Sequence, residues 1–183
     1  MKLLIGVSGA SGCLYSIRLL EELKKRNIET HLIVSDEGKK ILEYETDLDY
    51  EEFKNMASFS YQNDDLFSPP ASGSFQHNGM ILAPCSMKTL SSIANGYCKN
   101  LISRTAFCTL KEERKLVLMP RETPLDMISI KNMLSAKKAG ATILPACPGF
   151  YHKPNEINDL IDFIIGKILD QFKIQHSLFK RWG

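Results

Sequence analysis

The chain has 183 residues, of which 44% are hydrophobic, and it carries a formal net charge of +2 at pH 7. This length is enough for one well-packed domain and too short for two ordinary ones, so we expect a single core spanning residues 1–183. Because the small net charge comes without a long block of Lys or Arg, the composition argues against a nucleic-acid-binding protein.

Membrane insertion and metal binding are not indicated by the sequence either. No stretch reaches the roughly 18 uninterrupted apolar residues that a membrane-spanning helix needs, and the N-terminus begins with a strand-like run rather than a signal peptide. We therefore expect a cytoplasmic protein. The cysteines are odd in number and lack metal-ligand spacing, so we expect reduced thiols packed as small apolar side chains, and no bound metal. They are Cys13, Cys85, Cys98, Cys108 and Cys147.

Short apolar runs alternate with helical patterns along most of the chain. The apolar runs lie at Lys2–Val7, Ile28–Ser35, Gly79–Pro84, Lys115–Met119 and Ala141–Pro145. The helical patterns lie at Cys13–Arg26, Asp36–Asp47, Ser86–Asn95, Leu101–Glu113, Leu125–Ala139 and Asn155–Phe172. Continuous apolar strands, separated by helices, predict a parallel doubly wound α/β sheet that is covered on both faces. Between Asp47 and His77 the pattern weakens, which predicts a long connection used for function or for an oligomer contact.

Four loops are predicted to meet at one edge of this sheet, because ligands of open parallel sheets bind beyond the carboxyl ends of the strands. They are Ser8–Gly12, Val34–Gly38, Ala83–Thr89 and Met119–Pro124. Ser35 and Ser86 are plain helix caps in one interpretation. In the other, the hydroxyl and glycine-rich loops together bind the anionic group of a nucleotide-type cofactor. The first loop is neither a GxGxxG fingerprint nor a Walker A motif, and the residues alone leave both interpretations open.

Arg121 and Glu122 stand between Pro120 and Pro124, where an apolar run ends. Arg121 is suited to pair with a phosphate or a ring carbonyl, and Glu122, covered by a ligand, is suited to proton transfer. The alternative is a structural salt bridge, or a charge that favours the following helix.

Motifs along the whole chain, in collinear order, resemble those of the flavin prenyltransferases, the UbiX-type family. These motifs are GVSGASG, YETD, PPASGSF, APCSMKTLSSIANG, NLISRTAFCTLKEERKLVLMPRETPL, GATILPACPGFYHKP, KILDQF and KRW. The resemblance implies a three-layer flavodoxin-like or Rossmann-like fold, assembled as a homododecamer with the site at a junction between subunits. We therefore expect the C-terminal tail, about residues 174–183, to contact a neighbouring subunit.

The resemblance also implies a reaction. Enzymes of this family join the dimethylallyl group of dimethylallyl monophosphate to N5 and C6 of reduced FMN, and the prenylated FMN serves a UbiD-type decarboxylase. No metal takes part, and this chain has no aspartate-rich DDxxD motif, since Asp64 and Asp65 form only a pair in a polar loop. Protein cations and hydroxyls then have to stabilise the departing phosphate.

The matching motifs assign roles to particular residues. FMN is expected to contact Gly9, Ala10, Ser11, Ser35, Ser86, Met87, Lys88, Thr89 and Arg121. The dimethylallyl phosphate is expected to contact Tyr151 and Lys167, with Trp182 as a further aromatic wall. The residues expected to act in catalysis are Glu122 and Ser11 for proton transfer, Arg104 and Lys111 for positive charge, and Glu45 for a hydrogen bond in the phosphate pocket.

The chain departs from the family pattern at several positions. Lys167 stands where an Arg is expected, which keeps the charge but loses the bidentate guanidinium. Thr105 and Phe107 change the usual RAAD to RTAF, and Ser129 replaces an expected His.

Two other functions remain as alternatives. An FMN-dependent cysteine-type decarboxylase of the same fold needs an early catalytic His, whereas His31 lies inside a predicted strand. A non-catalytic flavin carrier, as the accessory subunit of an aromatic acid decarboxylase, needs no allyl phosphate pocket, and the presence of Glu45, Arg104, Lys111, Glu122 and Tyr151 argues against it.

Overall fold

Six parallel strands form a single sheet in the computed structural model, which describes residues 1–183. In chain order they are β1 (Lys2–Val7), β2 (Glu29–Val34), β3 (Phe59–Gln62), β4 (Met80–Cys85), β5 (Leu116–Pro120) and β6 (Thr142–Ile143). Their order across the sheet is β3-β2-β1-β4-β5-β6. The chain therefore winds outward from β1 in one direction and from β4 in the other, as in Rossmann-type sheets. The predicted doubly wound parallel sheet is confirmed.

Seven α-helices cover the two faces of the sheet. They are α1 (Cys13–Lys25), α2 (Asp36–Glu45), α3 (Tyr50–Lys54), α4 (Met87–Ala94), α5 (Leu101–Lys111), α6 (Met127–Lys138) and α7 (Ile157–Gln171). Helices α1, α2, α3 and α7 bury side chains on one face, and α4, α5 and α6 bury theirs on the other. None of the helices combines the length and the apolar composition that crossing a membrane requires.

The central strands are apolar throughout because each presents side chains to two covered faces. In β1, Leu3 and Ile5 belong to the layer packed on α1 and α7, whereas Leu4 belongs to the layer packed on α4 and α5. All three side chains are fully buried. Alternation along a strand thus fills two hydrophobic layers with one continuous apolar run.

The segment between Asp47 and His77 contains regular structure, so the prediction that it is one long connection is wrong. It includes α3, β3 and a short 3₁₀-helix at Pro69–Ala71. Strand β3 lies at the edge of the sheet and pairs only with β2, and its Phe59 is 53% exposed. An edge strand with one partner needs little apolar surface, which explains why its sequence reads as a loop.

The prediction for the cysteines holds for three of the five. Cys13, Cys85 and Cys108 are buried, Cys98 is half-buried, and Cys147 is exposed. Cys147 follows β6, whose paired region is only Thr142–Ile143 instead of the longer predicted run. Because the chain leaves the sheet early, the segment that carries Cys147 runs over the surface.

Candidate active site

The loops after β1 and β4 are bound to each other at the point where the sheet changes winding direction. The hydroxyl of Ser8 donates to the carbonyl of Pro84 at 3.1 Å and accepts from the backbone N–H of Ser86 at 2.8 Å. The hydroxyl of Ser16 donates to the carbonyl of Ala83 at 2.9 Å. Ser8 and Ser16 are fully or almost fully buried, so they fix the position of the two loops.

The N-terminus of α1 is occupied by a carboxylate from another helix. Oε2 of Glu45 accepts hydrogen bonds from the backbone N–H groups of Gly12 at 2.9 Å and Cys13 at 3.0 Å. Burial alone raises the pKa of Glu45, but hydrogen bonds from Ser11 and these two N–H groups, with the charge of Arg121, hold it below its usual value. Ser11 is therefore not the helix cap, and Glu45 stays ionised.

Of the helices that follow β1, β2, β4 and β5, α4 offers the N-terminus best suited to an anion. The N-terminus of α1 is filled by Glu45, and the first turn of α2 carries Asp36 and Glu37. Asp126 caps α6 by accepting hydrogen bonds from two backbone N–H groups. The first turn of α4 has no acidic residue and carries Lys88. On electrostatic grounds, we therefore expect a ligand phosphate at the N-terminus of α4.

The loops enclose a crevice made of two adjoining cavities of about 350 Å³ and 300 Å³. The two cavities share Gly9, Ser86, Met87 and Glu122. All nine residues expected to contact FMN line this crevice, together with Glu45 and Glu122. A Cβ atom at Gly9 would lie 2.5 Å from the Cβ of Glu37, so this glycine keeps the loop close to α2.

Arg121 and Glu122 form neither a salt bridge with each other nor a cap for the following helix, the two structural roles considered from the sequence. They make no ion pair with each other, and α6 is capped by Asp126. Nε of Arg121 is buried without a hydrogen-bond partner, whereas Glu122 is exposed and accepts from the N–H of Thr123 at 3.0 Å. An unsatisfied buried donor costs about 1–3 kcal/mol, which an oxygen atom of a ligand would recover.

These observations fit FMN. The crevice provides hydroxyl donors from serines, a helix N-terminus free of acid, and one buried guanidinium N–H without a partner. Its walls also include the apolar side chains of Ile41 and Met87, which suit the face of a ring. The anionic and the aromatic parts of a flavin nucleotide both find matching groups here.

Arg104 and Lys111 lie outside this crevice within one chain. Both are on α5, where Nε of Arg104 donates to the carbonyl of Ala71 at 2.9 Å and Nζ of Lys111 pairs with Glu112 at 3.2 Å. Neither residue lines any of the cavities that contain Gly9 or Arg121. Within one chain, these two cations therefore do not reach the crevice.

Tyr151, Lys167 and Trp182 meet in a separate aromatic cluster beside α7. The rings of Tyr151 and Trp182 are 5.4 Å apart at an angle of 88°. Nζ of Lys167 lies 5.6 Å from the ring centres of both Phe163 and Phe179. Tyr151 also packs on Phe163, with ring centres 5.6 Å apart, so the three expected substrate contacts belong to one cluster, which lies outside the crevice of the same chain.

Sequence reasoning missed several residues that shape the site. Asn63, just after the unpredicted β3, accepts from the backbone N–H groups of Leu101 and Ile102 and lines the crevice. A polar cavity of about 620 Å³ continues from there past Asn100. On the other side, Cys147 lines a cavity of about 450 Å³ with Arg121 and Glu122. Only the cap-like Asn100 before a helical pattern left a signal in the sequence.

No cluster of three or more His, Cys, Asp and Glu side chains is arranged to hold a metal ion.

Comparison with known proteins gives matches over the whole chain. A family model described as "Flavoprotein" matches residues 1–169. The flavin prenyltransferase UbiX of Methanocaldococcus jannaschii is 51% identical, with 100% of this chain and 99% of that protein covered. A crystal structure of AnUbiX (PadA1) in complex with FMN and dimethylallyl pyrophosphate is 43% identical, with a TM-score of 0.98 and coverage of 100% and 97%.

Two further solved structures, one similar in sequence and fold and one in fold alone, were also matched. A dodecameric FMN-dependent UbiX-like decarboxylase from Escherichia coli O157:H7 is 41% identical, with a TM-score of 0.98 and 100% of both chains covered. The peptidyl-cysteine decarboxylase EpiD is 20% identical, with a TM-score of 0.67 and coverage of 94% and 98%, a likeness that shows the fold alone. The chain belongs to the flavoprotein family and, within it, to the flavin prenyltransferases of the UbiX type.

Proposed function

We propose that this protein is a flavin prenyltransferase, which joins the dimethylallyl group of dimethylallyl monophosphate to N5 and C6 of reduced FMN. The product, prenylated FMN, then serves a UbiD-type decarboxylase. The observation that carries the proposal is the buried Nε of Arg121, which has no partner and lies beside Glu122 in the crevice at the switch point of the sheet. Full-length similarity to a flavin prenyltransferase supports it.

The chain's own residues account for FMN binding. The phosphate would be held at the N-terminus of α4 by the backbone of Met87 and Lys88 and by the hydroxyls of Ser86 and Thr89, which lie 3.1 Å apart. Ser35 and the backbone of Gly9, Ala10 and Ser11 line the rest of the crevice. Arg121 would donate from Nε to an oxygen of the flavin.

Reduced FMN, when bound, supplies the two ring positions that become attached to the dimethylallyl group. Glu122 is the carboxylate in the crevice that is free to take a proton, because its one hydrogen bond in the chain is the local one from Thr123. Glu45, held ionised by the N-terminus of α1, lines the crevice together with Ser11, the second residue that the proposal assigns to proton transfer. These two acids therefore have different roles.

The departing phosphate requires cations, and the proposal assigns Lys167, Arg104 and Lys111 to it, with Tyr151 as a hydrogen-bond donor and Trp182 as an aromatic wall. Positive charge placed where negative charge develops lowers the barrier to breaking the allylic bond. Because these residues lie outside the crevice of their own chain, we propose that they reach it across a subunit junction in a homododecamer. The dodecameric relative from Escherichia coli supports such an assembly.

We also propose a cytoplasmic location and a contact between the tail, residues 174–183, and a neighbouring subunit. All five cysteines are unpaired, which suits a reducing compartment. Trp182 at the end of the tail is 81% exposed in the single chain, so its indole is available for such a contact.

One incubation tests the proposed activity. Purified protein is incubated anaerobically with reduced FMN and dimethylallyl monophosphate. The flavin is then released, and its mass is measured by mass spectrometry. The expected result is a flavin heavier by one five-carbon unit. If FMN binds to the folded protein and its mass stays unchanged, the protein is a flavin carrier and the proposal is wrong.

A further inference from the structure

The residues after α7 fold back along that helix and are held there by Asp170. Its Oδ1 accepts from Nη2 of Arg181 at 2.7 Å, and its Oδ2 accepts from Nη1 of Arg181 at 3.1 Å. Nε2 of His176, whose side chain is fully buried, lies 3.2 Å from Oδ1 of Asp170. The Arg181 guanidinium holds the pKa of Asp170 below its usual value, so the carboxylate is ionised. The bidentate ion pair between Asp170 and Arg181, with His176 as a further partner of Asp170, holds the tail more firmly than a single exposed ion pair would.

The helix surface is shaped to receive the tail. A Cβ atom at Gly166 would lie 2.5 Å from Cε1 of Phe179 and 2.6 Å from Cε1 of His176. Glycine in a helix interior is less favourable than alanine, and here it allows the tail to lie directly on α7. Phe179 is only 9% exposed and packs on Phe163, with ring centres 4.9 Å apart.

Docking of the tail determines the surroundings of the three proposed substrate residues. Phe179, together with Phe163, flanks the ammonium group of Lys167 at 5.6 Å. Arg181 immediately precedes Trp182, whose ring meets that of Tyr151 edge to face at 5.4 Å. Apart from this contact with Tyr151, most of the Trp182 surface is exposed, so the position of its indole depends on where the ion pair holds the neighbouring Arg181.

We propose that Asp170 and Arg181 are positioning residues, whose ion pair holds the C-terminal tail on α7 so that Lys167, Tyr151 and Trp182 are arranged to bind the dimethylallyl phosphate. This inference rests on the proposed function. Asp170 and Arg181 line none of the cavities next to the FMN crevice, so their effect should fall on the prenyl phosphate and not on FMN.

The test compares full-length Asp170→Asn, Arg181→Ala and Arg181→Lys with the wild type, and uses Lys180→Ala as the matched control in the same tail. Under anaerobic turnover, the first two variants should raise KM for dimethylallyl monophosphate roughly tenfold, with a smaller change in kcat and an unchanged Kd for FMN. Arg181→Lys should raise KM less than Arg181→Ala does, because lysine keeps the positive charge but lacks the planar guanidinium that binds both carboxylate oxygens. Lys180→Ala should behave as the wild type.

Fluorescence gives a readout that does not depend on activity. Trp182 is the only tryptophan of the chain, so the anisotropy of its emission reports how firmly the tail is held. Lower anisotropy in Arg181→Ala and Asp170→Asn, together with weaker binding of dimethylallyl monophosphate in calorimetry, supports the positioning role. An unchanged anisotropy, an unchanged KM, or an equal loss of FMN affinity overturns it. If the wild type makes no prenylated flavin, the proposed function fails, while anisotropy and calorimetry still decide the role of the tail.

Discussion

Glu45 and Gly12 are 33 residues apart in the chain, yet the carboxylate of Glu45 accepts the backbone N–H of Gly12 at 2.9 Å and so fills the N-terminus of α1. In many nucleotide-binding α/β proteins, the helix after the first strand receives a phosphate at this position. Here a protein carboxylate takes the place of the ligand anion. We therefore expect a ligand anion at α4, the helix that follows β4, because its first turn has no acidic residue.

Replacing Glu45 with Gln should destabilise the fold in a pH-dependent way. The loss of a charged cap lowers the free energy of unfolding by about 1 kcal/mol at pH 7. Because the pKa of Glu45 is lowered in the folded state, its contribution is complete above the unfolded value of 4.5 and disappears as the pH falls through the folded pKa. Chemical denaturation at several pH values measures this. A difference between wild type and Glu45→Gln that persists undiminished at the acid end would contradict the proposed cap.

Replacing Arg121 with Met should weaken FMN binding about 10- to 100-fold, since it removes from the crevice a buried N–H donor that has no partner within the chain. Quenching of FMN fluorescence measures the affinity, and a thermal melt checks that the variant folds. Lys137→Met, at the exposed end of α6, is the control and should leave the affinity unchanged. Equal affinities for wild type and Arg121→Met would remove this residue from the flavin site.

A carboxylate introduced at the start of α4 should discriminate between flavins with and without a phosphate. Thr89→Glu is expected to lower the affinity for FMN about tenfold through repulsion, while the affinity for riboflavin changes little. Asn95→Glu places the same charge at the other end of α4 and serves as the control. If Thr89→Glu weakens both flavins equally, the phosphate does not bind at this helix N-terminus.

The sequence predicts most of the sheet and the crevice, because both depend on local patterns. Apolar runs identify the central strands, and the glycine and serine loops after β1 and β4 contain the residues that line the crevice. Strand β3 escapes prediction because, at the edge of the sheet, its Phe59 stays half exposed. Long-range contacts leave no local signal, so neither the capping of α1 by Glu45 nor the docking of the tail on α7 could be predicted.

The residue patterns of the chain do not show that the expected site residues lie apart; only the family resemblance implies a site at a junction between subunits. Arg104 and Lys111 match the family motifs as clearly as Arg121 does. They nevertheless lie outside the crevice, because both are on α5, where their side chains contact Ala71 and Glu112. A motif specifies a residue type, whereas the position of that residue in the fold decides which cavity its side chain can reach within one chain.

The central claim is that one crevice both binds and prenylates FMN, with Arg121 as a flavin contact and Glu122 as the group that takes a proton. A time course of the flavin mass, in wild type and Glu122→Gln loaded with equal amounts of reduced FMN, tests it most directly. We expect the heavier, cyclised flavin from the wild type, and formation slower on the order of 100-fold or more in the variant, with FMN affinity unchanged. An unchanged flavin mass in the wild type, or equal rates in both proteins, would contradict the claim.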